Sequence, residues 1–412
     1  MINSLTSNEC FGCAACMDKC PTHAIHMIED TDGNRVADID ESLCIQCGLC
    51  AQVCPNFHNT KETEFEKEAY VSFAKDKEQT KKSSSGGIFA ILAKNILKRG
   101  GIVYGAAMTY ENNQLRCKHI KVDNINDLPL LQGSKYVQSR TDGIFTSVKQ
   151  DLSENRIVLF SGTSCQVASL KNFIGENQYK DSLFTIDLVC HGVPKDRIFR
   201  DYISFIEKKK QSQLIGMSFR MKEKLFFGVE DRYCLTLKYK DDSSIHHDEY
   251  ISSKKSAYYS LFLNRAGYRD SCYHCKFTRL DKPADITLGD FIPRKNEIEK
   301  YGFNRGEHYS SIIVQNNRGS ELLNTIKDEL TMIQIPTDVM LKHHVNLKTP
   351  SVITHSGIQL YKQYNKDGFI GLQKKTDMLY IIYILKRNIK RCISCIQKII
   401  NHKPSTTIKK TL

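Results

Sequence analysis

Two stretches near the N-terminus repeat one spacing of cysteines, C-x-x-C-x-x-C-x-x-x-C-P: they read CFGCAACMDKCP at residues 10–21 and CIQCGLCAQVCP at residues 44–55. Three thiolates spaced this closely can reach three corners of one iron–sulfur cube, whereas the fourth cysteine, which precedes a proline, turns away and binds the other cube. The spacing therefore predicts two 4Fe–4S clusters. The predicted ligands are Cys10, Cys13, Cys16 and Cys54 for the first cluster, and Cys44, Cys47, Cys50 and Cys20 for the second.

Zinc and disulfide bonds are the alternatives for these cysteines. A structural zinc site uses two close pairs of ligands, which leaves the third and fourth cysteine of each run without a role. Disulfides need an oxidising compartment, and residues 1–9 are polar and lack the apolar stretch of a signal peptide. We therefore expect a cytoplasmic protein whose sixteen cysteines serve mainly metal or redox chemistry. Residues 1–58 resemble the bacterial two-cluster ferredoxins.

The formal charge of +13 raises the question of nucleic-acid binding. This count treats cysteine as neutral, whereas an oxidised cube with its four thiolates carries about −2. The chain has no Trp, and it shows no RNA-recognition signature and no helix-turn-helix pattern. We expect no nucleic-acid partner, because a basic electron carrier that meets an acidic partner accounts for the charge equally well.

Hydrophobic periodicity alternates between strands and helices from residue 69 to residue 330. Apolar runs at 156–160 and 183–189 predict buried strands, and helical spacing predicts helices at 86–98 and 165–173. This order is typical of an α+β or α/β fold with a mixed sheet. The sequence therefore predicts a small two-cluster ferredoxin domain followed by a larger mixed-sheet domain.

Four more cysteines lie where ligand-binding residues of such folds collect. Cys165 begins a predicted helix, Cys190 ends a predicted strand, and Cys272 and Cys275 form a C-x-x-C pair. Strand ends and helix starts of an α/β sheet converge on one edge, where ligands bind. From the residues alone, these four could form a zinc site or a further 4Fe–4S cluster, or they could be unconnected.

Six short motifs carry a resemblance to a known family. They are SSSGG at 83–87, QGSKYVQS at 132–139, GTSCQ at 162–166, VCHGVP at 189–194, CYHCKF at 272–277 and DITLGDF at 285–291. Through these motifs the chain resembles the coenzyme F-420 hydrogenase and dehydrogenase beta-subunit family, with its N-terminal homology region at 68–150 and its C-terminal region at 151–350. The resemblance implies that the larger domain binds FAD. It also implies a third 4Fe–4S cluster with the ligands Cys165, Cys190, Cys272 and Cys275.

Two of the motifs suit a flavin. The serine-glycine loop runs directly into a helix, and its free N–H groups and hydroxyls fit a pyrophosphate; an ordinary serine N-cap beside a flexible linker is the alternative. The second motif offers a close backbone approach, a cation and an aromatic ring, although a Lys-Tyr pair in a turn is more often simply exposed. The predicted cofactor-binding residues are Ser83, Ser84, Ser85, Gly86, Gly87, Gly133, Ser134, Lys135, Tyr136, Gly162 and Thr163.

The chain departs from the family pattern at two places. Ser164 stands where the family usually has Pro, and Ile292-Pro293 stand where it usually has Trp-Gly. Neither departure removes a predicted ligand, but both bear on which compound accepts the electrons. Cys117, Cys234, Cys392 and Cys395 have no predicted role.

Residues 368–412 form a tail of different composition. The apolar run LYIIYIL at 379–385 precedes Lys386, Arg387, Lys390 and Arg391, at a spacing that predicts a basic amphipathic helix. Seven apolar residues are far too few to span a bilayer, which needs roughly twenty. Packing on the body or contact with a partner is the favoured interpretation, and attachment to a membrane surface is the alternative.

These features together predict an oxidoreductase, an iron–sulfur flavoprotein. Single electrons would pass through the clusters, and FAD would exchange hydride with a deazaflavin-like coenzyme or another organic substrate. The partner is then an electron donor or acceptor protein, or a small redox coenzyme. The alternative is a non-catalytic subunit that delivers electrons to a partner enzyme. We find no nucleophile triad and no paired carboxylates, so the catalytic residues stay unassigned.

Overall fold

A computed structural model of the chain describes residues 5–57, 65–175, 178–221, 224–225, 229–230, 233–240, 246–304 and 307–401. The strands are β1 (Ile25–Glu29), β2 (Arg35–Ile39), β3 (Glu68–Ala74), β4 (Ile102–Glu111), β5 (Gln114–Val122), β6 (Val158–Ser161), β7 (Leu183–Leu188), β8 (Gln213–Met221), β9 (Lys224–Leu225), β10 (Val229–Glu230), β11 (Cys234–Lys240), β12 (His246–Ile251), β13 (Ile286–Phe291), β14 (Tyr309–Val314) and β15 (Leu330–Gln334). The α-helices are α1 (Ala15–Lys19), α2 (Leu49–Val53), α3 (Lys77–Lys81), α4 (Ile88–Lys98), α5 (Leu128–Leu131), α6 (Ile144–Ser153), α7 (Ser164–Ile174), α8 (Asp196–Lys210), α9 (Ala257–Leu263), α10 (Asp270–Tyr273), α11 (Lys295–Tyr301), α12 (Asn317–Asn324), α13 (Thr337–His343) and α14 (His355–Asn401).

The N-terminal segment consists of two cysteine loops, two short helices and the β1–β2 hairpin. Each loop turns into its helix through a residue in the left-handed region, Ala14 before α1 and Gly48 before α2. The two helices contact each other and α7. In that contact Ala15 and Val53 are buried in one apolar cluster with Val167 of α7. The segment therefore shares a hydrophobic core with the larger body.

The main sheet has the strand order β15-β3-β14-β13-β7-β6-β4-β5. Its central strands β13, β7, β6 and β4 are parallel, and the outer pairings are antiparallel. Strands β6 and β7 and helices α4 and α7 match the elements predicted at 156–160, 183–189, 86–98 and 165–173, so the expected mixed α/β architecture is confirmed. Because β6, β7 and β13 are parallel, their carboxyl ends meet at one edge of the sheet.

Alternate residues of the central strands face different helical layers, as the two-residue period of a strand requires. On one face Val103 and Leu159 belong to an apolar cluster with Leu92 of α4. On the other face Tyr104 and Phe160 are fully buried among residues of α6 and α7. The sheet is therefore covered on both sides.

A second, smaller sheet has the order β12-β11-β8. It shares an aromatic-rich cluster with α8, α9 and α14, in which Tyr202 stacks on Tyr258 with ring centroids 5.2 Å apart. Aromatic pairs at this separation add to the stability from buried area. This cluster anchors the polypeptide just before the C-x-x-C pair.

The last helix, α14, begins before the predicted tail. It begins at His355 and contains one non-helical residue, Gly368, whose φ of +66° is costly for any residue with a Cβ. The change of composition that marks the start of the tail at residue 368 thus coincides with a break in the helix. Tyr364 before the break and Phe369 and Leu372 after it are buried in the aromatic-rich cluster. Among the described residues, no helix is both long and apolar enough to cross a membrane.

Candidate cofactor site

The first cysteine set (Cys10, Cys13, Cys16 and Cys54) lines one cavity of about 230 Å³. Three of its members come from the first loop and α1, and the fourth follows α2. The loop lies against the β1–β2 hairpin. A Cβ added at Gly12 would be only 2.6 Å from the Arg35 carbonyl oxygen. Gly12 also has a φ of +64°, so this turn requires glycine. The structure thus brings together the four cysteines that the spacing grouped.

Burial makes free thiolates costly in the first cysteine set. Desolvation raises the pKa of Cys13 to about 12, and the nearby Cys10 and Cys54 raise it further. Desolvation likewise raises the pKa of Cys16 and of Cys54. Neighbouring thiols in such surroundings become stable thiolates only when a cationic centre neutralises them. The donor chemistry therefore fits an iron–sulfur cluster.

The second cysteine set (Cys20, Cys44, Cys47 and Cys50) lines a small cavity near the surface. Cys47 is exposed. Slight burial acts to raise the pKa of Cys20, but hydrogen bonds from Thr22 and from the N–H groups of Ala24 and Ile25 outweigh it and leave that pKa lowered. The two N-terminal sets therefore differ: the first contains two buried cysteines, Cys13 and Cys16, whereas the second contains the exposed Cys47.

The third cysteine set (Cys165, Cys190, Cys272 and Cys275) lies at the carboxyl edge of the main sheet. Cys165 follows β6 at the start of α7, and Cys190 follows β7. The C-x-x-C pair lies close to the segment that follows Cys190. A Cβ added at Gly192 would be 3.0 Å from the Cys272 Cβ and 2.5 Å from the Tyr268 ring. The N–H of Gly192 donates to the Cys190 Sγ at 3.4 Å. Four cysteines from distant parts of the sequence thus share one site.

Burial dominates the electrostatics of the third set as well. Desolvation raises the pKa of Cys190 to about 11 and that of Cys272 to about 12. The Cys165 pKa is also raised, first by burial and then by the charges of the other three cysteines. Within the described residues, no three or more His, Cys, Asp or Glu side chains converge closely enough to hold a single metal ion.

The third cysteine set opens into a cavity of about 570 Å³, here called the large cavity. Most of the predicted flavin residues line it as well: Ser83, Ser84, Ser85, Gly87, Gly133, Ser134, Lys135, Tyr136, Gly162 and Thr163. The two predicted flavin segments touch, because the N–H of Ser134 donates to the Ser84 Oγ at 2.8 Å. Gly86 lies behind this wall, where its N–H donates to the Ser310 Oγ and a Cβ would lie 2.4 Å from the Ser72 carbonyl oxygen.

Lys135 is held in place by its own loop. Its Nζ donates to the carbonyl oxygens of Gln132 at 2.8 Å and Leu130 at 3.2 Å. Desolvation lowers the pKa of Lys135 to about 8, although the nearby Cys117 acts in the opposite direction. An ammonium has three N–H donors, so two carbonyl bonds leave one for a ligand in the cavity. Tyr136 is less available than predicted, since it stacks on Phe262 with ring centroids 4.3 Å apart.

Cationic side chains dominate the charged lining of the large cavity. Arg220 lines it, pairs with Asp290 and lies 5.0 Å from the centre of the Tyr233 ring. Arg269 lines it as well, and Lys282 is almost fully buried in its wall. This charge balance favours an anionic ligand such as the pyrophosphate of a dinucleotide.

Two residues that sequence reasoning missed connect the N-terminal segment to the large cavity. Arg269, which precedes α10, donates to the Cys10 carbonyl oxygen at 2.9 Å, to the Arg35 carbonyl oxygen at 3.1 Å and to the Gln138 Oε1 at 2.7 Å. Phe11 lines both the first-set cavity and the large cavity. The sequence around an Arg in a loop, or around a Phe between two cysteines, has no pattern that predicts such contacts. Only the proximity of Arg269 to the C-x-x-C pair could have suggested a role.

Two family models match parts of this chain. Residues 155–338 match a family model that describes the C terminus of the coenzyme F420 hydrogenase/dehydrogenase beta subunit. Residues 9–57 match a model described as a 4Fe-4S dicluster domain. Together the two models cover more than half of the chain.

Two individual proteins are also similar. An uncharacterized protein of Porphyra purpurea, from the rpl9-rpl11 intergenic region, is 37% identical over 57 residues, which are 13% of this chain and 76% of that protein. Among solved structures, the F420-reducing NiFe hydrogenase complex from Methanosarcina barkeri contains a chain that is 16% identical. That match covers 74% of this chain and 96% of the other, with a TM-score of 0.42.

Proposed function

This chain belongs to the coenzyme F420 hydrogenase/dehydrogenase beta-subunit family and carries a 4Fe–4S dicluster domain in front, and from that premise we propose that it is an iron–sulfur flavoprotein oxidoreductase. When bound, three 4Fe–4S clusters would carry single electrons and FAD would exchange an electron pair with an organic substrate or coenzyme. Two single electrons and one proton are equivalent to one hydride, so the chemistry balances in either direction.

One observation carries the proposal: the third cysteine set and the predicted flavin segments line the same cavity. A cluster and a flavin held there would be direct neighbours. Phe11 also lines this cavity and that of the first cysteine set, so the three cofactor positions are contiguous. A chain of one-electron carriers that ends at a two-electron carrier is the reason to combine these parts in one polypeptide.

The protein's own groups would bind and orient the cofactors. The bond from the Ser134 N–H to the Ser84 Oγ joins the two segments that would enclose the flavin phosphates. Lys135, fixed by two carbonyl oxygens, would direct its remaining N–H to a phosphate oxygen. Cys165, Cys190 and Cys272, whose pKa values are raised chiefly by burial, would hold the third cluster.

The exposure of the three sets suggests an order of electron flow. Cys47 of the second set is exposed, and beside it Leu43 and Ile45 are 47% and 64% exposed. The first set adjoins the large cavity, since Phe11 lines both cavities. Electrons would therefore enter or leave through the second cluster, pass the first and third, and reach the flavin.

Anaerobic purification followed by iron, sulfide and flavin analysis tests the proposal. We expect about twelve irons, about twelve sulfides and one FAD per chain. Bleaching of the flavin by a hydride donor, tested with reduced nicotinamide and reduced deazaflavin coenzymes, should be followed by reduction of the clusters. A chain that holds the clusters but binds no flavin would contradict the proposal.

The exposed apolar residues Leu43 and Ile45 beside the second set also favour a second candidate, a non-catalytic subunit that delivers electrons to a partner enzyme. The two candidates differ in one measurement. A delivery subunit would exchange electrons with a protein partner or an artificial one-electron dye, whereas no hydride donor would reduce the isolated chain.

A further inference from the structure

The last helix extends beyond the body with an apolar face exposed. After the break at Gly368, five residues are spaced four, three, four and four apart: Met378, Ile382, Leu385, Ile389 and Ile393. Such spacing places side chains on one face of a helix. Their exposed fractions lie between 39% and 59%. These five residues are called the α14 stripe.

Contacts on the opposite side fix the direction of the α14 stripe. Thr376 is buried, and the amide of Gln373 donates to the Lys255 carbonyl oxygen at 2.7 Å and accepts from the Ala257 N–H at 3.1 Å. About two turns beyond Thr376, the Lys254 Nζ donates to the Tyr383 hydroxyl at 2.6 Å and lies 3.8 Å from the centre of its ring. The stripe therefore points away from the body.

The charge of this part of the sequence restricts what can cover the stripe. From Met378 to the last residue, Leu412, the chain has eight Lys and Arg residues and no Asp or Glu. A second copy of the same helix would bring two strongly positive segments together, and like charges repel. An apolar surface that carries negative charge would bury the stripe and would also attract the basic residues.

We propose that the α14 stripe lies in the surface of a bilayer that contains anionic lipid. An interfacial helix buries its apolar face about 5–10 Å into the boundary between headgroups and acyl chains. Lys386, which the structure shows exposed, and the basic residues further along would contact the lipid headgroups. This attachment is peripheral, and it goes beyond the proposed redox function, on which it does not depend.

Flotation of the intact, cofactor-loaded protein with vesicles tests the inference. We expect it to float with vesicles of phosphatidylcholine mixed with phosphatidylglycerol, and to stay behind with vesicles of phosphatidylcholine alone. Added salt should weaken the attachment, because exposed charges are screened beyond roughly 8–10 Å at physiological ionic strength.

Two variants and one control make the test specific. The triple variant Ile382→Ser, Leu385→Ser, Ile389→Ser should reduce vesicle affinity at least tenfold, and Lys386→Gln with Lys390→Gln should reduce it less. Val345→Ser with Val352→Ser removes two other exposed apolar side chains and should bind like the natural protein. Iron content and thermal unfolding should be unchanged in all three variants, because the exchanged residues that the structure describes are exposed.

Three results would overturn the inference. The first is no flotation of the intact protein with anionic vesicles, and the second is equal flotation of the triple variant. The third is a dimer that the triple variant abolishes while vesicles have no effect, since the stripe would then pair with a second copy. Retention on an acidic protein together with no vesicle binding would instead assign the stripe to a protein partner.

Discussion

The Nζ of Lys282 lies 3.3 Å from the Oγ of Ser164, immediately before Cys165 of the third cysteine set. Lys282 is only 6% exposed and also donates to the Phe277 carbonyl oxygen at 2.7 Å. Its charge acts to lower the pKa of Cys190 and of Cys275, against the larger effect of burial. A buried cation is thus held beside the place where a cluster would gain negative charge on reduction.

The same contact gives a physical meaning to Ser164. This residue is the first of α7, a position where Pro is well accommodated because its missing N–H would have no intrahelical partner. The Pro that is usual in the family would therefore fit the backbone here. What Ser164 adds is a hydroxyl, which accepts a hydrogen bond from Lys282. Burial raises the pKa of Asp187, and a hydrogen bond with the Ser164 hydroxyl acts in the opposite direction.

Replacing Lys282 should change a reduction potential without removing a cluster. We expect Lys282→Met to lower the potential of the third cluster, because a nearby positive charge stabilises the more negative reduced state. A redox titration followed by electron paramagnetic resonance measures the change. Lys98→Met, at the exposed end of α4, is the control and should leave all potentials unaltered. An unshifted potential in Lys282→Met, with iron content retained, would show that the cation has no such role.

Replacing one cysteine of the third set should remove one cluster only. Cys272→Ser should lose about four of about twelve irons, because the N-terminal sets have separate ligands. Cys392→Ser, at an exposed cysteine, should lose none. Iron and sulfide analysis after anaerobic reconstitution measures both. About eight irons together with bound zinc in the natural protein would mean that the third set holds zinc.

Removing the Lys135 ammonium should weaken flavin binding. Lys135→Ala should cost about 1.5–3 kcal/mol of binding free energy, the range for hydrogen bonds to charged groups. Iron content should not change. Lys81→Ala, whose side chain is 70% exposed on α3, is the matched control. Fluorescence of released FAD measures the affinity, and equal retention in both variants would place the phosphates elsewhere.

Flavin retention should also depend on pH. Burial lowers the pKa of Lys135 to about 8, so its positive charge is present below pH 8 and is lost as the pH rises through that value. A bound phosphate favours the charged form and would move the transition upward. We expect affinity to fall above about pH 8, whereas Lys135→Arg, charged throughout, should show a flat profile. A decline of the same size in both proteins would exclude Lys135 as its origin.

The α/β class, the main elements and the grouping of the N-terminal cysteines could be read from the sequence. The strand at β6 and the helix at α7 follow from local periodicity, and the C-x-x-C-x-x-C spacing constrains ligands that are neighbours in the chain. Interactions between near neighbours need no knowledge of the fold. The resemblance extended this reading to Cys165, Cys190 and the C-x-x-C pair, whose ligand role is still a prediction.

Tertiary structure alone decided the remaining features. Lys282 meets Ser164 across 118 positions, and Arg269 reaches the Cys10 carbonyl oxygen across 259, distances in sequence over which no periodicity operates. The direction of the α14 stripe was likewise open, because an amphipathic pattern does not say whether its apolar face meets the body or solvent. Phe369 and Leu372 pack into the aromatic-rich cluster, so that side of α14 faces the body. The α14 stripe lies on the other side and is exposed.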